Sequence, residues 1–346
     1  MARANPVLVE VTRGEMVESR HRGAVAIVKS DGQTAFAVGD TERLVYPRSA
    51  IKPLQAVYLL ESGAADAFEL TEVEIALACA SHNGEAGHVD AVRSWLTRLG
   101  FREQALECGT HAPRRKEDNA WLVKHDLVPG PVHNNCSGKH CGFLSSAKYL
   151  GLNTAGYIEK DHPVQEAVLA LVAEMADFSL AETPGGVDGC GIPVAGLPLE
   201  PLALAFARFG TGTGLELNRR AAVERIYHAM HHEPFMVAGT KRWCTRAMKA
   251  GDGAFIVKTG AEGVYCGAVP EVGVGIALKI DDGASRAAEC VMGTVLSGLD
   301  CLTEEQSLDL IGSTVFNVAG REVGEIRPHK EFHAQLLSLM DPKLVG

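Results

Sequence analysis

The order of strand and helix signals along the chain is the feature that most restricts its fold. Short apolar or β-branched segments occur near the start, at 6–12, 24–28 and 34–38, and Asp31-Gly32 is a hairpin signal between the last two. Apolar residues at helical spacing then fill the middle of the chain, and strand signals return late. The simplest packing is a mostly antiparallel sheet built from both chain ends, with a helical region inserted between them.

The same patterns give bounds to the predicted elements. Helices are predicted at 52–61, 72–80, 89–99, 118–125, 139–150, 163–175, 202–209, 217–232 and, after the late strands, 286–302. The late strands are predicted at 254–258, 264–269 and 272–280. We therefore predict an α/β (α+β) fold in a single catalytic unit, 1–346. Its sheet-rich part covers about 1–80 and 235–346, and its helical part covers about 81–234.

Net charge and the lack of long apolar runs argue against several classes of partner. The 346 residues carry a formal charge of -10, and the only basic run is Arg114-Arg115-Lys116. Nucleic acids and anionic membranes require a clustered basic patch, so we expect neither as a partner. The first residues lack the pattern of a signal peptide, and no stretch approaches the roughly 18 apolar residues of a membrane span. These features predict a cytoplasmic protein.

The cysteines include a dense cluster in N-N-C-S-G-K-H-C at 134–141. The chain has nine cysteines at irregular spacing, which favours reduced thiols, core side chains or metal ligands over a disulfide framework. Cys136 could share a zinc ion with Cys190 of the glycine-rich loop 187–193, because zinc prefers sulfur and nitrogen ligands. The C-x4-C spacing differs from that of dithiol oxidoreductases, and Cys141 is expected to face the core. The residues alone leave a metal site and a structural role as equal alternatives.

Three short motifs point to a serine nucleophile. Ser49-Ala50-Ile51-Lys52 is an S-x-x-K; at the start of a helix, its hydroxyl and amine would share one face. The lysine could act as a base only when neutral, which requires burial or a neighbouring cation. An S-x-N at 81–83 and a K-T-G at 258–260 follow in the order found in serine β-lactamases and penicillin-binding proteins. Each motif alone is weak, since 145–148 is another S-x-x-K.

Longer motifs extend over most of the chain. They are V-x-R-G-x-x-V-E-S-x-H-R at 11–22, R-S-A-x-K-P at 48–53, C-A-S-H at 79–82, N-C-S-G-K-H at 135–140, D-G-C-x-x-P at 188–193, M-V-A-G at 236–239 and D-G-A-x-x-x-K-x-G at 252–260. Together they resemble the Rhizobium-type L-asparaginases, also called class 3 or the asparaginase II family. The resemblance runs from about residue 8 to about residue 282, and the last sixty or so residues carry no such motif.

The resemblance implies an activity, a fold and a set of site residues. The activity is hydrolysis of L-asparagine to L-aspartate and ammonia, on a fold similar to serine β-lactamases and glutaminases, usually in a homodimer. The family's two Ser–Lys tandems correspond to Ser49 with Lys52 and Ser81 with Lys258. Its zinc ligands correspond to Cys136, Lys139 and Cys190, completed by water. The residues predicted to bind substrate are Arg48, His82, His140 and Asp188.

The predicted mechanism is acyl-enzyme chemistry. Ser49 attacks the side-chain amide carbon while neutral Lys52 takes its proton, and Ser81 with Lys258 relays a proton to the departing ammonia. Water then hydrolyses the ester. Three alternatives remain at this stage: an L-glutaminase, a penicillin-recognising serine hydrolase, and a zinc-binding protein without enzymatic activity.

Overall fold

The computed structural model describes residues 4–338, which divide into two compact units. Unit 1 comprises the described residues as far as Ala50, together with Leu197–Ala207 and the described residues from Arg246 onward. Unit 2 comprises Ile51–Gly196 and Arg208–Thr245. The single catalytic unit 1–346 stays a prediction, and its residues 1–3 and 339–346 lie outside the described residues.

The strands lie near both ends of the chain, apart from one short hairpin in the middle. They are β1 (Val7–Arg13), β2 (Met16–Lys29), β3 (Thr34–Val38), β4 (Gly185–Val187), β5 (Pro193–Ala195), β6 (Ile256–Thr259), β7 (Val264–Val269), β8 (Val274–Ile280), β9 (Ser313–Phe316) and β10 (Glu322–Pro328).

Most of the helices lie between β3 and β6. They are α1 (Lys52–Glu61), α2 (Ala64–Ala67), α3 (Glu72–Ala78), α4 (Ala86–Arg98), α5 (Lys116–Lys124), α6 (Ser137–Tyr149), α7 (Pro163–Ala176), α8 (Leu199–Thr211), α9 (Leu217–His232), α10 (Pro234–Val237), α11 (Trp243–Gly251), α12 (Ser285–Gly298), α13 (Glu304–Leu310) and α14 (Lys330–Leu337). Short 3₁₀ turns occur at Arg48–Ile51, Glu103–Ala105 and Pro131–His133. Among the described residues, no helix has the length and apolar character needed to cross a membrane.

Unit 1 is built on one antiparallel sheet. Its strands lie in the order β6-β7-β8-β2-β1-β10-β9, and β3 pairs with β2. The long strand β2 pairs with β1 through Met16–Arg22 and with β8 through Gly23–Lys29. Helix α12 packs against β1, β7, β8 and β10. This arrangement confirms the predicted mostly antiparallel sheet from both chain ends with a helical region inserted between them.

Unit 2 is helical, and α6 lies at its centre. Helices α1 and α3 both pack against α6 and α9. Residues 137–147 of α6 are buried on every side, although six of them are Gly, Ser or Lys. A helix without an exposed face belongs in the interior of a domain. Its small residues let neighbouring helices approach closely, which places the residues of the N-C-S-G-K-H motif in a buried setting.

Several elements differ from their predicted bounds. The first half of β2 was missed because its side chains alternate between exposed and half-buried positions and carry no apolar pattern. Strands β9 and β10 were missed for the same reason, since neither contains a fully buried residue. The division into a sheet-rich part at about 1–80 and 235–346 and a helical part at about 81–234 stays a prediction. The predicted last helix, 286–302, corresponds to α12, which ends at Gly298. Residues 299–302 are not helical and lead to α13.

Candidate active site and metal centre

Ser49 lies in a strained turn of the backbone. It belongs to the 3₁₀ turn Arg48–Ile51, which leads into α1, and α1 begins at Lys52 as predicted. Arg48, which precedes it, has a φ of 53°, in the left-handed region that residues with a side chain rarely adopt. Such strain persists only where the surrounding structure imposes it, and it is frequent at functional sites.

Unit 1 brings this turn next to the K-T-G motif at the end of β6. A Cβ atom on Gly260 would lie 2.6 Å from the carbonyl oxygen of Pro47 and 3.2 Å from the amide nitrogen of Ala50. Only glycine permits this approach of the two backbones. Lys258 is 1% exposed, and its Nζ donates to the carbonyl oxygen of Thr259 at 2.7 Å. The motifs carrying Ser49 and Lys258 therefore meet within unit 1.

Unit 2 holds the other predicted catalytic pair. Lys52 is the first residue of α1 and is fully buried. Its Nζ lies 3.1 Å from the Ser81 hydroxyl and 3.1 Å from the Cys136 sulfur, and it also donates to the carbonyl oxygen of Ala80. The family resemblance paired Ser81 with Lys258. Within unit 2, the lysine that contacts Ser81 is instead Lys52, which the resemblance had paired with Ser49.

This geometry gives Lys52 two chemical states. As an ammonium, it donates to the carbonyl, the hydroxyl and the sulfur together. As a neutral amine, it can still donate to Ala80 and Cys136, and its lone pair can then accept the Ser81 proton. The Lys52–Ser81 contact is therefore a path along which a proton can pass in either direction.

A network of polar side chains holds the loop that carries Ser81. Arg242 donates to the carbonyl oxygen of Ser81 and to the side-chain oxygen of Asn83, both at 3.1 Å. Glu85 accepts from Asn83, from Arg115 and from both the backbone and the hydroxyl of Thr240. Arg242 and Glu85 were not among the predicted site residues. The S-x-N motif and the neighbouring M-V-A-G motif were the available signals for this network.

The three predicted zinc ligands converge in unit 2. Cys136 and Lys139 lie at the start of α6, and Cys190 lies in the turn between β4 and β5. The Lys139 Nζ is 2.9 Å from the Cys190 sulfur. Cys190 also hydrogen-bonds to Cys136 and lies 3.8 Å from the carboxylate of Asp188. All three ligand side chains are buried.

Charge is concentrated around this cluster. The hydrogen bond from Cys190 and the nearby Lys52 and Lys139 charges hold the pKa of Cys136 well below its ordinary value. The same hydrogen bond, together with burial, raises the pKa of Cys190. Burial alone would lower the pKa of Lys139, but the two sulfurs outweigh it and raise this pKa. Cys136 therefore lies in a cationic environment that favours its thiolate form.

The donor set fits a zinc ion. Two sulfurs and one amine converge, and zinc prefers sulfur and nitrogen ligands. Within residues 4–338, no group of three or more His, Cys, Asp or Glu side chains is arranged to hold a metal. The predicted set differs from such a group because one of its members is lysine, which must lose a proton before it can bind a metal.

The two predicted histidines of the pocket differ in their hydrogen bonds. His82 uses both ring nitrogens within unit 2: Gly84 donates to Nδ1 at 3.1 Å, and Nε2 donates to Ser137 at 2.9 Å. His140 uses only Nδ1, which lies 2.7 Å from the hydroxyl of Tyr157. Burial holds the pKa of both rings well below its ordinary value, so both are neutral. Tyr157 lies outside every motif of the sequence, so no signal pointed to it.

The sequence matches the family described as L-asparaginase II over residues 9–328. The chain therefore belongs to this family, which confirms the resemblance seen in its motifs. Membership supports an amidohydrolase enzyme. No curated protein matches the chain.

Solved structures show weaker similarity. Mglu in its native form is 15% identical with a TM-score of 0.48; the match covers 81% of this chain and 65% of Mglu, so the chain spans less than two thirds of that protein. D-alanine carboxypeptidase AmpC from Burkholderia cenocepacia is 16% identical with a TM-score of 0.37, over 79% and 93% of the two chains. A β-lactamase from Mycobacterium bovis is 14% identical with a TM-score of 0.37, over 81% and 95%.

Proposed function

We propose that this protein hydrolyses L-asparagine to L-aspartate and ammonia. The observation that supports this most directly is the buried contact of Lys52 with Ser81 and Cys136, in a chain of the L-asparaginase II family. The contact places a proton-transfer pair beside the predicted metal ligands. Amide hydrolysis needs such a pair, because the nucleophile must lose a proton and the ammonia must gain one.

The proposed mechanism proceeds through an acyl-enzyme. Ser49 attacks the side-chain amide carbon and Lys52 takes its proton. The 3.1 Å contact from Lys52 to Ser81 offers the next step, in which Ser81 delivers a proton to the leaving ammonia. Water then hydrolyses the ester and restores Ser49.

Four residues are proposed to shape the substrate site. Arg48 carries the charge that suits the α-carboxylate, and Asp188 carries the charge that suits the α-amine. His140 is proposed to contact the substrate directly. His82 is proposed to act at the pocket through the loop that it anchors to α6, because both of its ring nitrogens are already bonded to the protein.

Zinc is the proposed cofactor, and a homodimer is the proposed assembly. Cys136, Lys139 and Cys190 would hold the ion, which when bound could polarise the amide carbonyl or lower the pKa of a bound water. Elemental analysis should find about one zinc per chain, lost in Cys136→Ser and kept in the control Cys141→Ser.

Light scattering of the same sample should give about twice the chain mass of 36.8 kDa, as expected for a homodimer. Cytoplasmic location stays a prediction from the sequence.

The decisive experiment measures ammonia release from L-asparagine and, separately, from L-glutamine. We expect release from L-asparagine, and we expect Ser49→Ala to lower kcat by at least about 1,000-fold, as loss of a nucleophile does. Ser146→Ala is the control, because its hydroxyl bonds to the Gly142 carbonyl within its own helix. Full activity in Ser49→Ala with none in Ser81→Ala would transfer the nucleophile role to Ser81.

The same assay separates the alternatives. Faster release from L-glutamine would indicate a glutaminase. Release from neither amide, with labelled penicillin attached to the protein, would indicate a penicillin-recognising hydrolase. Bound zinc with neither reaction would indicate a metal-binding protein without this activity.

A further inference from the structure

The hydrogen bonds around His140 favour one of the two tautomers of its neutral ring. The backbone N–H of Glu107 donates to the Tyr157 hydroxyl oxygen at 2.9 Å. The hydroxyl hydrogen of Tyr157 therefore points to another acceptor, and Nδ1 of His140 lies 2.7 Å from the same oxygen. When Nδ1 accepts that hydrogen, a neutral imidazole carries its own hydrogen on Nε2.

The Nε2 atom of His140 has no hydrogen-bond partner among the described residues, although it is buried. The whole side chain is 0% exposed. A buried N–H without an acceptor is costly, and native proteins rarely retain one without a reason. Two neighbouring buried histidines of unit 2 differ from it, since His82 and His88 each have both ring nitrogens bonded to the protein.

His140 lies directly beside the predicted metal ligands. It follows Lys139 in α6, and Phe143 contacts both residues, with its ring 5.7 Å from the Lys139 Nζ and 6.0 Å from the His140 ring. A hydrogen-bond donor on the His140 ring is therefore adjacent to Lys139, the cationic member of the predicted metal ligands. Donors and cations together suit an oxygen ligand that is negatively charged or strongly polarised.

We propose that Tyr157 is a positioning residue that holds His140 in the Nε2–H tautomer, so that Nε2 donates a hydrogen bond to an oxygen atom of the bound amino-acid amide. The proposal rests on the proposed function for its substrate, but the tautomer rests on the protein's own hydrogen bonds. In the opposite tautomer, Nε2 would present a lone pair to the substrate oxygen and repel it. Tyr157 would therefore act on substrate binding through His140 without touching the substrate.

The tautomer can be tested without any measurement of activity. In the intact protein labelled with 15N-histidine, long-range 1H–15N spectra distinguish a protonated from an unprotonated ring nitrogen. The His140 signals, identified by their loss in His140→Gln, should show Nε2 protonated and Nδ1 unprotonated. Tyr157→Phe should shift them toward a mixture of tautomers, whereas Tyr149→Phe, at an exposed tyrosine of α6, should not. A protonated Nδ1 in the unaltered protein, or no change in Tyr157→Phe, would overturn the proposal.

Kinetics test the consequence for the substrate. Tyr157→Phe should raise KM for L-asparagine by roughly tenfold with little change in kcat. In His140→Gln, the side-chain amide nitrogen can occupy the position that Nε2 has in the histidine ring. In His140→Asn, the shorter side chain brings its amide nitrogen only to the position of Nδ1. His140→Gln should therefore keep KM within about fivefold of the original, and His140→Asn should raise it by more than about thirtyfold.

The two variants of His140 keep the proposal testable if Tyr157→Phe fails to fold. Equal KM values in His140→Gln and His140→Asn would overturn the assigned role of Nε2. Failure of the proposed function has a different signature, since the spectra would then show the expected tautomer while the unaltered protein releases no ammonia from L-asparagine.

Discussion

At the scale of the residue, the site depends on buried charges that are compensated by specific partners. Glu85 is the clearest case outside the predicted metal ligands. Burial alone would raise its pKa, but hydrogen bonds from Thr240, Arg115 and Asn83 outweigh it and hold the pKa at about 2. Because these partners also order the loop that carries Ser81, the ionised carboxylate supports the candidate site from a distance.

The first prediction concerns Glu85→Gln. The folded-state pKa lies below the unfolded value of about 4.5, so the carboxylate stabilises the fold above pH 4.5, and this contribution is lost as the pH falls toward 2. At pH 7 the variant should lose about 1.5–3 kcal/mol of unfolding free energy, the usual range for hydrogen bonds to a charged group. Denaturant unfolding across pH 2–7 should show the difference from the original protein shrinking below about pH 4.5.

Glu117→Gln is the matched control for Glu85. Glu117 also faces Arg115, at 3.7 Å, but its side chain is 74% exposed. An exposed ion pair contributes little, so this variant should change the unfolding free energy by less than about 1 kcal/mol. A pH-independent loss in Glu85→Gln would contradict the role given to its charge.

At the scale of the element, the position of α6 depends on a glycine in the N-C-S-G-K-H motif. A Cβ atom on Gly138 would lie 2.2 Å from the backbone oxygen of Leu77, at the end of α3. The first turn of α6 therefore packs directly against α3. This contact fixes the positions of Lys139 and His140 relative to α3. The sequence motif identified the residues, but the reason for its glycine is the packing of the two helices.

The second prediction follows from this contact. Gly138→Ala should destabilise the protein by about 2–3 kcal/mol, because backbone atoms cannot move aside as a flexible side chain can. Gly142→Ala, one turn later, meets the end of the Leu59 side chain at 3.3 Å and gains helix propensity, so it should be close to neutral. Thermal unfolding of both variants makes the comparison, and equal destabilisation would contradict the proposed packing.

At the scale of the whole molecule, the first and last strands depend on each other within unit 1. Strand β1 pairs with β10 through Val9 and Pro328, Glu10 and Arg327, and Val11 and Ile326. Strand β10 therefore covers an edge of β1 that would otherwise present unpaired backbone groups. Helix α14 adds to this end of the chain by packing its buried Phe332 and Leu336 toward α12.

The third prediction is that a chain ending at residue 311 will not fold stably. It lacks β9, β10 and α14, so it exposes one edge of β1 and uncovers apolar surface on α12. We expect aggregation and loss of a cooperative thermal transition. The control is Val318→Ala in the full chain, because Val318 is fully exposed between β9 and β10. A soluble truncated chain with a cooperative transition would show that β10 is dispensable.

The sequence by itself determined the strand–helix–strand arrangement of the chain, the family and the residue types of the candidate site. Periodicity is local and survives in the sequence, which is why α1, α6 and the late strands could be predicted from it. Motifs such as N-C-S-G-K-H and D-G-C-x-x-P likewise name the sulfur and amine donors without any knowledge of the fold.

Only the tertiary structure decided which of these residues meet. Lys52 contacts Ser81 and Cys136 because α1, α3 and α6 pack together, and Tyr157 reaches His140 although no motif joins them. Strands β9 and β10 carry too few buried residues to show a pattern, and pairing with β1 defines them. The physical reason is the same in each case: a hydrogen bond between distant residues depends on how whole elements pack, whereas periodicity records only the burial of each element by itself.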